Sequence, residues 1–211
     1  MDQKEFRETV ISGEINERER GEKHKNPVFQ LTLAAMFLAI GIVLPFLTGQ
    51  IRQIGNMLLP MHIPVLLCGL LCGWQYGLAV GFILPLFRSV LFSMPVLFPS
   101  AVAMAFELAT YGAAAGLLYS RSRWKCVIAL YRSLLIAMLS GRVVWGIVQI
   151  LLLGIGGNRF TLKMFFAGAF LNAIPGIVLQ LIFIPAVMVA LNRAGLVRFT
   201  RHTAAMRKAK N

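Results

Sequence analysis

The stretch GNMLLPMHIPVLLCGLLCGWQYGLAVG, residues 55–81, decides the fold. Gly69, Gly73, Gly77 and Gly81 recur at every fourth position, and almost every residue around them is apolar. In a soluble helix each such glycine would cost roughly 1 kcal/mol relative to alanine. In lipid, glycine lets two helix backbones approach closely, and small residues four apart mark that contact. Gly69 and Gly73 fall near the end of one short apolar run, Gly77 and Gly81 near the start of the next. The stretch therefore predicts a tight hairpin of two membrane helices. A loop with Arg52, Gln53 and Asn56 leads into it, followed by a turn with two prolines and a histidine, Pro60-Met61-His62-Ile63-Pro64.

The rest of the chain fits a lipid environment. Of its 211 residues, 58% are hydrophobic and 14% charged, with a mean hydropathy of +0.74. Seven of the eight acids lie in the first 22 residues, and only Glu107 lies beyond them. The expected class is an all-α polytopic membrane protein with one membrane domain. A net charge of +13 would point to nucleic acid in a soluble chain. Here the basic residues flank apolar spans, so they answer to the bilayer and no nucleic-acid partner is expected. Cys68, Cys72 and Cys126 are too few, and too apolar in context, for a disulfide framework or a zinc site. Packing is their expected role, with no metal and no cofactor.

Six spans are expected, at about residues 28–48, 57–73, 75–92, 98–119, 133–153 and 162–191. Pro60 and Pro64 sit in the first turns of the second span, where a missing N–H is tolerated. Pro85 interrupts the third span, and Pro175 and Pro185 the sixth. This gives a cytoplasmic tail at 1–27, a membrane domain at 28–192 and a basic cytoplasmic tail at 193–211. The first tail has no apolar core of the signal-peptide kind. Six Lys/Arg lie in the N-terminal tail, four in and beside the loop after span four, and six in the C-terminal tail. An even number of spans puts all of these on one side, so by the positive-inside rule both termini are cytoplasmic.

Ionisable residues within spans are costly and usually functional. The candidates are Arg88, Glu107 and Arg142. Glu107 and Arg142 each fall roughly 14 Å below a membrane surface at 1.5 Å per residue, on consecutive antiparallel spans. They are expected to form an ion pair, either as a staple between helices or as part of a ligand site. Arg88 falls in the outer third and His62 just under the outer surface. Arg142, Trp145 and Gln149 share one face of span five, and Asn172, Gly176 and Gln180 one face of span six. Each alone reads as an interhelical hydrogen bond. Together they converge on the outward half of several spans, which points to an outward-opening pocket with a few polar groups in an apolar lining.

These features resemble a family. Six short spans, Ala35-x-x-x-Ala39 in the first, the glycine-stepped hairpin and the basic loop after span four are similar to the substrate-binding S component of energy-coupling factor (ECF) transporters. So are the phrases MLLPMHIPVLLCG, FPSAVAMAFELATYG and FLNAIPGIVLQ. The resemblance covers about residues 28–192 and implies a multi-pass protein of the bacterial plasma membrane that binds a vitamin from outside. It implies a lid in the loop of Arg52, Gln53 and Asn56, and docking through Ala35 and Ala39 onto a coupling transmembrane subunit driven by two ABC-type ATPases. No Gly-x-x-x-x-Gly-Lys-Ser/Thr stretch exists in this chain, so a partner must supply the ATP chemistry.

Other classes fit less well. An intramembrane serine protease needs a nucleophile with a membrane histidine, and a metalloprotease needs His-Glu-x-x-His. The only histidine in the apolar body is His62, expected near a surface, with no Gly-x-Ser-x-Gly, and His-Glu-x-x-His is absent, so no enzyme activity is expected. A self-sufficient secondary transporter would show an internal repeat and ion-binding acids. Substrate charge follows from counting. If Glu107 pairs with Arg142, Arg88 has no acid left among the spans. Either it reaches water or lipid phosphate, or a ligand carboxylate is its partner. The second reading favours a carboxylate vitamin, such as pantothenate or a folate, over cationic thiamine. The resemblance of the quoted phrases points to pantothenate, with folate or riboflavin as the alternative substrates. Asn172, Gln149 and His62 would then hold polar groups of the ligand and Trp145 its apolar part.

Overall fold

A computed structural model of the chain describes residues 27–48, 60–122, 127–155 and 174–194. Both predicted tails and the loop of Arg52, Gln53 and Asn56 lie outside the described residues, as does Asn172. Every element among the described residues is helical. We label them α1 (Pro27–Val43), α2 (His62–Cys72), α3 (Trp74–Phe92), α4 (Val102–Arg121), α5 (Val127–Ile155) and α6 (Ile174–Arg193). A tight 3-10 turn, Leu44–Thr48, continues α1. A broader turn, Leu97–Ala101, extended at Phe98, leads into α4.

Among the described residues, five stretches are long and apolar enough to cross a bilayer: Pro27–Phe46, Trp74–Phe92, Leu97–Arg121, Val127–Gly154 and Ile174–Arg193. The shortest has 19 residues, about 28 Å at the helical rise and close to the thickness of a hydrocarbon core. Their outward faces carry Leu31, Val90, Ile128 and Ile182, all largely exposed. In water this would be a liability. Around a bundle in lipid it is the solvated surface.

The expected second span is shorter than predicted. Its helix, α2, has 11 residues, only about 16 Å. It is instead the buried centre of the bundle: every residue of α2 except Leu71 is buried. Pro64 sits in its first turn, as expected, while Pro60 lies in the turn before it. The fifth helix begins earlier than predicted, at Val127, and carries Arg132 exposed within its second turn.

The glycine spacing does what the sequence implies. Gly73, at φ +99, turns the chain between α2 and α3, a conformation that only glycine adopts without strain. A Cβ on Gly77 would lie 2.6 Å from the Cα of Gly69, so the two helices touch backbone to backbone. The contact has a third member that the spacing of residues 69–81 does not reveal. A Cβ on Gly69 or Gly77 would also strike the Gly112 carbonyl of α4, and one on Gly116 would strike the carbonyl of Gly69. Three helices thus cross at one junction with no side chain between them, the arrangement that small residues permit in lipid.

Pairings along the helices fix the directions. α1 and α3 run parallel, tied at one end by Tyr76 donating to the Pro27 carbonyl (3.5 Å) and at the other by Arg88 donating to the Ile42 carbonyl (2.9 Å). α2 and α4 run the opposite way, with His62 beside Glu107 and Gly69 beside Gly112. α5 is antiparallel to α4, since Arg142 meets Glu107 and Gly141 meets Tyr111. α4 is the hub, packing against α2, α3 and α5.

Candidate functional site

Three buried ionisable residues, His62, Glu107 and Arg142, gather where α2, α4 and α5 meet. Glu107 of α4 is 2% exposed, and its Oε1 accepts the Tyr111 hydroxyl at 3.0 Å. The same oxygen lies 3.0 Å from Nη1 of Arg142 on α5. His62, the first residue of α2, brings Nε2 to 3.7 Å, an electrostatic contact longer than a hydrogen bond. Its ring also lies 5.2 Å from that of Tyr111, tilted. Tyr111 is one helical turn beyond Glu107, which puts both side chains on one face of α4.

Gly141 makes this convergence possible. A Cβ there would run into the Tyr111 ring and approach the Glu107 carbonyl at 3.1 Å. Without one, α5 comes close enough for Arg142, the next residue, to reach the carboxylate. The expected Glu107–Arg142 pair is therefore present. His62 is deeper than its predicted place just under the surface. That placement assumed a full-length second span. Because α2 is short, its first residue lies level with Glu107, near the middle of the Leu97–Arg121 span.

Arg88 stands apart from this cluster. It is buried near the end of α3, and Nη1 donates to the Ile42 carbonyl at 2.9 Å and Nε to the Met94 carbonyl at 3.2 Å. Its guanidinium also lies 5.5 Å from the Phe46 ring centroid and 5.8 Å from that of Phe92, within cation–π range. The counting of acids had left it without an anion. The structure gives it carbonyl oxygens and aromatic faces instead.

Some buried polar atoms have no hydrogen-bond partner among the described residues. They include Nε and Nη2 of Arg142, Oε1 of Gln149, Nε2 of Gln180 and Oγ of Ser89. Leaving such a group unsatisfied costs about 1–3 kcal/mol, and native structures keep few of them. Gln149 lies seven residues beyond Arg142 on the same face of α5, with the half-buried Trp145 between them. Gln180 is 1% exposed on α6, which packs against both α5 and α2. Tyr111 was not among the sequence candidates, although its i+4 relation to the lone membrane acid was a usable signal. Ala35 and Ala39 are exposed on α1.

A helical bundle with an apolar exterior and a sealed charged cluster defines a multi-pass membrane protein with an internal polar site. A family model for the ECF transporter substrate-specific component matches residues 29–194, and the chain belongs to that family. It is a family of transport components and not of enzymes. No curated protein and no solved structure matches the chain.

Proposed function

We propose that this S component captures a small water-soluble vitamin from outside a bacterial cell, with pantothenate the favoured ligand, and that both its termini are cytoplasmic. The ligand lies among α2, α4, α5 and α6, near His62, Arg142, Trp145 and Gln149, with Glu107 holding the arginine. Delivery follows docking onto a coupling transmembrane subunit powered by two ABC-type ATPases. The observation that carries this reading is the sealed polar cluster with orphaned atoms inside an apolar-surfaced bundle of this family. Docking is supported by α1, the least buried of the five long stretches, whose Ala35 and Ala39 expose a small-residue face.

Replacing Ala35 or Ala39 with tryptophan tests the assembly. Uptake by cells that also express the coupling subunit and ATPases should fall to background, while the purified protein should bind its vitamin as before. Mass spectrometry of the molecule that co-purifies with the native chain identifies the ligand. Vitamin uptake that persists after deletion of the ATPases would instead establish a self-sufficient secondary transporter.

A further inference from the structure

Arg142 is only half used. Its Nη1 meets Glu107 at 3.0 Å. Its Nε and Nη2 are buried and have no partner among the described residues, and the residue is 5% exposed. Those two nitrogens form one edge of the guanidinium, with parallel N–H groups. That edge is the fork that grips a carboxylate through two hydrogen bonds. A single ion pair to Glu107 would need no such open edge.

Three further features belong to the helices around it. α2 begins at His62, next to Glu107, and Met61 caps it with no side-chain hydrogen bond. A helix start carries about half a positive charge and unpaired N–H groups. Seven residues along α5, about 10 Å at the helical rise, Gln149 has an acceptor, Oε1, with no partner among the described residues. On α6, which packs against α5, Gln180 has a donor, Nε2, likewise without a partner among them.

We infer that Arg142 is shared between two anions, Glu107 through Nη1 and the carboxylate of the transported molecule through the Nε/Nη2 fork. The molecule also carries a hydrogen-bond donor about 10 Å from that carboxylate, matched to Gln149, and an acceptor for Gln180. This rests on the reading that the chain binds a small vitamin, and deepens it by assigning the carboxylate to Arg142 and not to Arg88.

The test is calorimetric titration of the purified full chain with pantothenate, folate, riboflavin and thiamine, and with panthenol, in which the pantothenate carboxylate is a primary alcohol. The Arg142→Lys variant is titrated alongside, because lysine keeps a cation opposite Glu107 but removes the fork. The expected result has three parts. A carboxylate vitamin binds, panthenol binds at least tenfold more weakly than pantothenate if pantothenate is that vitamin, and Arg142→Lys weakens the carboxylate 10- to 100-fold at an unchanged melting temperature. Where Arg142→Lys does not fold, the panthenol comparison, or for folate its γ-amide, decides on the native chain alone. The inference is overturned, with vitamin capture still standing, if thiamine or riboflavin is the tight ligand. Equal binding of acid and uncharged analogue overturns it in the same way, as does unchanged affinity in Arg142→Lys. Binding of none of these probes would overturn the inference and vitamin capture together.

Discussion

Arg88 and Arg142 are buried to nearly the same degree, 4% and 5% exposed, and solve the problem of burial differently. At the ends of α1 and α3, Arg88 donates to two backbone carbonyls and lies against two aromatic rings. Its surroundings among the described residues supply hydrogen bonds and polarisable faces without a formal counter-charge. In the middle of the bundle, Arg142 has the opposite provision: a full carboxylate at 3.0 Å, and two nitrogens with no acceptor among the described residues. Charge compensation and hydrogen-bond compensation are separate demands. A cation with its hydrogen bonds made acts as a clasp between helices. A cation with its charge met but its hydrogen bonds open is prepared for a further acceptor.

The largest effect should come from removing the counter-charge. Glu107→Gln keeps the shape of the side chain but leaves Arg142 as an uncompensated buried cation. Breaking a buried pair from one side typically costs about 3–5 kcal/mol. Thermal unfolding in detergent should show that loss, and a carboxylate ligand should restore part of it by supplying the missing anion. The double variant Glu107→Gln/Arg142→Met removes both charges and should recover most of the stability. Unfolding of Glu107→Gln at the native temperature would mean that Glu107 is not what holds Arg142, and the contrast between the arginines would fail.

Arg88→Leu should come next in size. It leaves the Ile42 and Met94 carbonyls short of a donor, at a cost of about 1–3 kcal/mol. Vitamin affinity should stay within about twofold, because the clasp is not in the cluster around Glu107. A large loss of affinity with little loss of stability would reverse the roles assigned to the two arginines and return the carboxylate to Arg88.

The sequence was legible where spacing alone carries the physics. Glycines four apart encode close backbone approach, and Gly69, Gly77 and Gly81 sit where that rule puts them, while Gly73 has open space around it and makes the turn. The same rule was available at Gly112 and Gly116, and predicts their place in the junction once α4 is set beside the hairpin. Glu107 and Arg142 were legible as a pair because depth follows from the helical rise. The length of α2 was not legible, since an apolar run measures lipid compatibility and not where hydrogen bonding begins. His62 was misplaced for that reason. Arg132 marked a loop by its charge, yet a long basic side chain can lie on a helix near its end and reach toward water. The partners of Arg88 were invisible to a count of acids, because backbone carbonyls and ring faces carry no letter of their own. The unpartnered edge of Arg142 depends on which nitrogen meets Glu107, a matter of side-chain geometry.

The smallest expected effect tests whether the rings beside Arg88 contribute to its clasp or merely lie near it. Phe46 is 41% exposed, so replacing it with leucine changes little buried area. It meets Phe92 edge to face, with centroids 4.9 Å apart, as well as the guanidinium at 5.5 Å. Loss of the cation–π contact is worth about 0.5–1 kcal/mol at a site this exposed, and the edge-to-face contact adds about 0.5–1.5 kcal/mol. Phe46→Leu alone mixes the two. A double-mutant cycle with Arg88→Leu separates them, because the Phe46–Phe92 contact is present with or without the arginine. Phe46→Leu should therefore destabilise the native chain by about 0.5–1 kcal/mol more than it destabilises the Arg88→Leu chain. A coupling of zero would remove Phe46 from the clasp and leave Arg88 held by its two carbonyls and the Phe92 ring. The contrast with Arg142 would then rest on hydrogen bonds more than on ring faces.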